Sequence, residues 1–167
     1  MMIRLAGVVP ESYVDGPGIR FTIFVQGCPH HCEGCHNPET HDFAAGRAAD
    51  TDRIYSKIKQ FPLVKGVTFS GGEPFCQPEP LAELAEKLKA DGYHVMSYSG
   101  WTFEQLLSKS AAEPQVGRLL GLLDLLVDGR FVLAERSLEL TFRGSRNQRI
   151  IDVPASLAAG KAVTVEM

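Results

Sequence analysis

The chain has 167 residues, of which 44% are hydrophobic and 22% charged, with a formal net charge of −3. These values predict a single domain over residues 1–167 around one core, and the lack of a dense Lys/Arg stripe excludes nucleic acid as an expected partner. No run of about 18 uncharged apolar residues occurs, and the opening MMIRLAGVVPESY has no signal-peptide pattern, so the expectation is a cytoplasmic protein with no membrane partner.

In chain order, RFTIFVQ (20–26) is apolar and rich in β-formers, a strand that runs directly into the segment QGCPHHCEGCHNPET. Residues 50–61 read as a helix with Ile54, Ile58 and Phe61 along one side. GVTFS (66–70) is a short buried strand stopped by Gly71 and Gly72. PLAELAEKLKA (80–90) follows the helical i, i+3, i+4, i+7 rule through Leu81, Leu84, Ala85 and Leu88. YHVMSY (93–98) is the next strand, ended by Ser99 and Gly100. Thr102 is placed to cap a helix over 103–109, and 116–120 adds a helical turn. LLDLLV (122–127) reads as a buried strand, and 148–153 and 162–166 as two more. Strands alternating with helices predict an α/β fold with a mainly parallel sheet. Five or six strands are too few for a closed eight-unit structure, which leaves a partial (β/α) barrel. Ligands then bind at the carboxyl ends of the strands, where the cysteine segment, Gly71–Gly72–Glu73–Pro74 and Ser99–Gly100 all fall.

Chemistry concentrates in Cys28, Cys32 and Cys35, spaced C-x3-C-x2-C. Three thiolates hold three irons of a 4Fe–4S cube and leave the fourth iron open, since no fourth cysteine lies nearby. A Cys3His zinc site, with His30, His31 or His36 completing it, is the competing reading and would describe an interaction module without enzymatic activity. Two disulfides are disfavoured by the clustering of three cysteines within eight residues. After the next strand, Gly71 and Gly72 allow close backbone approach to a ligand, and Glu73 adds a charge able to meet an ammonium group.

Together, VDGPGIRFTIFVQGCPHHCEGCHNPET (14–40) and SGGEP (70–74) closely resemble the motifs of the glycyl-radical activating enzymes, within the radical S-adenosylmethionine (SAM) superfamily. LLVDGRFV (125–132) and LTFRGSRNQRIIDV (140–153) resemble the branch serving anaerobic ribonucleoside-triphosphate reductase. The resemblance implies a barrel of the radical SAM type and two cofactors, a 4Fe–4S cluster on Cys28, Cys32 and Cys35, and SAM chelated to the fourth iron. It places Gly71, Gly72 and Glu73 at the methionine end of SAM, Gly34, Cys35 and His36 along its pocket with His36 against the adenine, and Ser99 and Gly100 near it. Reductive cleavage of SAM would give a 5′-deoxyadenosyl radical that takes hydrogen from a glycine of the reductase large subunit. Electrons would come from a flavodoxin, a ferredoxin or a thioredoxin-type system. An activase of another glycyl-radical enzyme, such as pyruvate formate-lyase, is the alternative within the superfamily.

Several residues carry two readings. Asp15 to Arg20 (DGPGIR) is either a turn opening a strand or part of the entrance for the glycine-bearing segment, with Arg20 holding a carboxylate or a carbonyl. Cys76 matches no ligand position and reads as a partly buried thiol. His41 and His94 read as surface or packed residues, Trp101 as core or as support beneath the site, and Asp128 as a turn former or a rim residue. Arg143, Arg146 and Arg149 form a short basic run, a solvated face or a contact for an acidic partner.

Overall fold

The computed structural model describes all 167 residues, Met1–Met167. Seven strands form one open sheet: β1 (Met2–Ser12), β2 (Arg20–Val25), β3 (Arg47–Asp50), β4 (Gly66–Gly71), β5 (His94–Tyr98), β6 (Leu125–Asp128) and β7 (Arg149–Asp152), in the order β3-β1-β2-β4-β5-β6-β7. The central β2, β4, β5 and β6 are parallel, whereas β1, β3 and β7 pair antiparallel at the flanks. Five helices connect or follow them: α1 (Thr51–Ile58), α2 (Pro78–Ala90), α3 (Phe103–Ser110), α4 (Pro114–Leu122) and α5 (Val153–Ala159). The three parallel crossovers each contain a helix, as the alternating pattern predicts.

Alternation along the strands divides the sheet into two faces. Phe21, Ile23, Val25, Val67, Phe69, Val95 and Leu126 point to one side and pack with Ile58, Leu81, Leu84, Leu88, Phe103 and Leu119 in the main core. Residues of the opposite parity, Met96, Leu125, Val127 and Ile150, form a smaller cluster with Tyr98 and Phe142. With the helices on one face, the other is left for the loops at the carboxyl ends of β2, β4, β5 and β6. Truncating a main-core residue such as Phe69 would cost about 3–5 kcal/mol.

Local signals fix the boundaries. The Asp50 carboxylate accepts from Asp52 N–H to cap α1, and Thr102 and Gln105 form a reciprocal capping box on α3. Leu122 closes α4 instead of opening a strand; the backbone turns extended at Leu123, and Asp124 accepts the Val95 N–H at 2.8 Å, setting where β6 begins beside β5. Residues 162–166 contribute one isolated bridge, Ile151 to Thr164, in place of the expected strand. The sequence pattern misses β1, because register shifts between Leu5 and Gly7 and between Val9 and Ser12 put its apolar residues out of phase. All four cysteines are free, and no helix is long and apolar enough to cross a membrane.

Asp128 does not reach the rim. It is buried, and its carboxylate accepts from Phe103 N–H at 2.7 Å and from Arg149 Nε and Nη2 at 3.0 and 2.6 Å. It therefore ties the end of β6 to the first turn of α3. Arg149, which also bonds Glu104 at 2.6 Å, is a structural tie and not part of a solvated basic face.

Candidate active site

The cysteine loop leaves β2 at Gln26, whose side-chain amide donates to the carbonyls of Glu39 and Asp42 at 3.0 and 2.8 Å and draws the loop's far end back. Gly71 and Gly72 pack behind it. A side chain on Gly71 would meet the Val25 backbone at 2.6 Å, and one on Gly72 the Gly27 carbonyl at 2.3 Å. Glycine is thus required here by the protein's own backbone crowding.

Cys28, Cys32 and Cys35 all line one cavity of about 640 Å³, with Ser70, Gly71, Gly72, Ser99 and Gly100 from the loops after β4 and β5. His36, Asn37, Phe131, Phe142 and Arg143 line it too. The three loops expected on one rim do meet there. Gly34 lies outside the lining: its φ is +75°, and a side chain on it would strike Leu133 and Phe131. Glu73 also lies outside. The residue is buried, and its carboxylate is bonded by His30, Ser99, Gly100 and Phe75. His36 packs on Phe131 at 5.1 Å between ring centroids.

The donor set fits a cluster of the kind expected. None of the three loop histidines joins the thiols: His30 bonds Glu73, His31 packs edge-on against His41, and His36 lies on Phe131. No group of three or more His, Cys, Asp or Glu side chains is drawn together as a preformed ion site. Burial pushes the Cys28 thiol up, and the His30 N–H facing its sulfur partly offsets this; Glu73, Cys32 and Cys35 push it further up. A cation-rich cluster would relieve that repulsion by binding the thiolates.

Cys76 lies outside the cavity, at the end of the 3-10 turn Pro74–Cys76, and burial raises its pKa to about 12. A thiol so protonated is a poor ligand and nucleophile. Cys76→Ser is expected to keep the iron content of the unsubstituted protein, and alkylation at pH 8 to spare Cys76 in the folded chain; metal analysis and peptide mapping check both.

Arg20 is 1% exposed and forms the floor at the opposite end of the strands. Its Nε donates to Thr68 Oγ1 at 2.7 Å, Nη1 to Pro17 O at 3.0 Å, and Nη2 to Val67 O and His94 O at 3.0 and 3.1 Å. The arginine thus holds carbonyls, not a carboxylate. A side chain on Gly16 would come within 2.7 Å of Arg20 Cδ, and one on Gly66 within 2.4 Å of Nη1, so both glycines make room for it. The DGPGIR segment is therefore fastened beneath the cavity, and Asp15 and Val14 line its wall.

Burial and then the Arg20 charge hold the His94 pKa below its ordinary value, with Arg20 Nη2 only 3.0 Å from Nδ1. Between the lowered folded value and about 6.5, the unfolded chain binds a proton that the native one refuses. Stability should therefore be full above pH 6.5 and fall on acidification below it. Urea midpoints across pH 8 to 5 check this, and His94→Asn, which keeps an acceptor but cannot titrate, should flatten that part of the profile.

Residues 14–151 match the family described as the 4Fe-4S single cluster domain. The anaerobic ribonucleoside-triphosphate reductase-activating protein of Escherichia coli (strain K12) is 33% identical over 148 residues, which cover 83% of this chain and 92% of that protein. The chain belongs to this 4Fe–4S single cluster family, together with the reductase-activating proteins. The pyruvate formate-lyase-activating enzyme of Clostridium pasteurianum is 36% identical over 116 residues, and this chain spans 49% of it. The crystal structure of QueE from Escherichia coli shares the fold at a TM-score of 0.50 and 18% identity, covering 60% of this chain and 54% of that one. Membership of a 4Fe–4S activating family replaces the zinc-module reading.

The sequence does not single out Phe24, Tyr98, Phe131, Phe142 and Arg143 as cavity residues. Only their positions after or within strands hint at it, and the loop 129–148 that carries three of them has no regular periodicity.

Proposed function

We propose that the target of this activating enzyme is the large subunit of anaerobic ribonucleoside-triphosphate reductase. Supporting this reading, the match takes in 92% of a reductase-activating protein, against 49% and 61% of two lyase-activating ones. The two stretches that resemble the reductase branch, 125–132 and 140–153, also contribute Phe131, Leu140, Phe142 and Arg143 to the cavity lining, on the segment 129–148. That segment is held together by Gln148, whose Oε1 accepts Gly144 N–H and whose Nε2 donates to Gly129 O, and by Asn147, which donates to Arg130 O.

In this reading Cys28, Cys32 and Cys35 would hold the cluster as thiolates, and Cys35, His36, Gly71, Gly72 and Ser99 would hold SAM, while Gly34 packs against Leu133 and Phe131 and Glu73 ties the loops together outside the lining. When bound, the two cofactors would supply hydrogen-atom abstraction chemistry directed at a glycine of the partner. Phe24, Phe131, Leu140 and Phe142 wall the cavity and exclude water from that chemistry. Asp15 and Val14, at the loop anchored by Arg20, flank the way in for the partner segment. Electrons come from a flavodoxin, a ferredoxin or a thioredoxin-type donor, and the protein works in the cytoplasm, in keeping with its four free thiols.

The test mixes the anaerobically loaded protein with SAM, a reductant and either the reductase large subunit or pyruvate formate-lyase. A glycyl doublet by electron paramagnetic resonance (EPR) is expected with the reductase. A doublet only with the lyase would overturn the assignment.

A further inference from the structure

Glu73 is the point where the three rim loops are joined. Its Oε1 accepts from His30 Nε2 at 2.6 Å, in the loop after β2, and from Gly100 N–H at 2.7 Å, in the loop after β5. Its Oε2 accepts the Phe75 N–H of its own loop at 3.0 Å, and Ser99 Oγ lies 3.0 Å from both oxygens. These four donors saturate the carboxylate, which has no outlet to the cavity.

His30 is the only side chain of residues 28–36 that hydrogen-bonds to either of the other two loops. Its side chain is 3% exposed and that of Glu73 0%. The imidazole edge meets Trp101 at 4.7 Å between centroids, and a side chain on Gly100 would come within 2.4 Å of it. Gly100 is thereby explained as the clearance for the His30 ring. His30 also stands between two of the three thiols, two residues from each.

We propose that His30 is a positioning residue: it latches the thiol-bearing loop to the Glu73 hub, so that the three sulfurs and the two glycine loops keep a fixed mutual placement. The proposal rests on the cluster-and-SAM reading of the cavity and deepens it. Glu73 then acts through the protein's own loops and not as a partner for an ammonium group. A buried hydrogen bond to a carboxylate is among the stronger ones, and loss of its donor leaves the acceptor short inside the protein.

The test compares unsubstituted protein with His30→Ala and His30→Gln, the latter offering an amide nitrogen at the reach of Nε2. Loaded samples are challenged with a ferrous-iron chelator and cluster loss is followed by absorbance; cluster-free samples are followed by amide hydrogen exchange over 28–36 and 99–101. His30→Ala should load iron through its intact thiols but lose it about tenfold faster, with faster exchange in both segments, and His30→Gln should restore both. Cluster loss and exchange in His30→Ala within about twofold of the unsubstituted rates, or the same deficit in Ala and Gln, would overturn the latch. Should His30→Ala not fold, His30→Asn, too short to reach Glu73, takes its place under the same criteria. An unsubstituted chain that takes up no iron would instead sink the cluster reading, while the exchange comparison still decides the latch.

Discussion

Replacing Cys32 with Ala should give a folded but colourless protein that cleaves no SAM. Cys32 is only half-buried and makes no side-chain hydrogen bond, so its loss should change stability by no more than about 1 kcal/mol. Two thiolates and no nearby substitute remain: the loop histidines are engaged with Glu73, His41 and Phe131, and Cys76 is outside the cavity. Iron should fall from about four atoms per chain to near zero after anaerobic reconstitution. A Cys32→Ala protein that retained the cluster would show that a different donor set holds it. The contrast with Cys76→Ser, which should keep its colour, separates a ligand from a bystander thiol.

Arg20→Ala should be the most destabilising single change at the site, by about 3–5 kcal/mol. The guanidinium joins three carbonyls and the Thr68 hydroxyl in the interior, and its removal leaves those acceptors unpaired around a void. Burial costs the charged form enough to lower the Arg20 pKa to about 10, yet it stays charged near neutrality. Arg20→Lys should recover less than half of the loss, because an ammonium cannot span donors fixed in a planar fork. Urea midpoints of the two variants measure this. A loss below about 1 kcal/mol for Arg20→Ala would mean that the floor relaxes to pair its carbonyls without the arginine.

The parts of the site that depend on local spacing are legible in the sequence. Three thiols within eight residues, a glycine pair after a strand, and Ser99–Gly100 after the next strand each announce themselves, and parallel topology brings them to one rim. Less legible is what depends on distant pairing. Arg20 finds its acceptors 47 and 74 residues away, and Glu73 meets Ser99 and Gly100 26 and 27 residues on. A charge beside a glycine pair reads as a ligand contact, and only the fold shows that it is spent inside the protein. The same holds for Asp128, whose Asp-Gly sequence suggests a turn while its carboxylate caps α3. Among the strands, the central parallel set is legible because its residues are buried on the helix face. The flanking β1 escapes notice because its bulges break the alternation.

The open iron is tested most directly by EPR on the reduced, loaded protein before and after SAM is added. With Cys28, Cys32 and Cys35 as the complete protein ligand set, the cluster signal should change shape on addition and revert when SAM is removed. A signal that stays the same at saturating SAM would contradict an iron left free by the polypeptide.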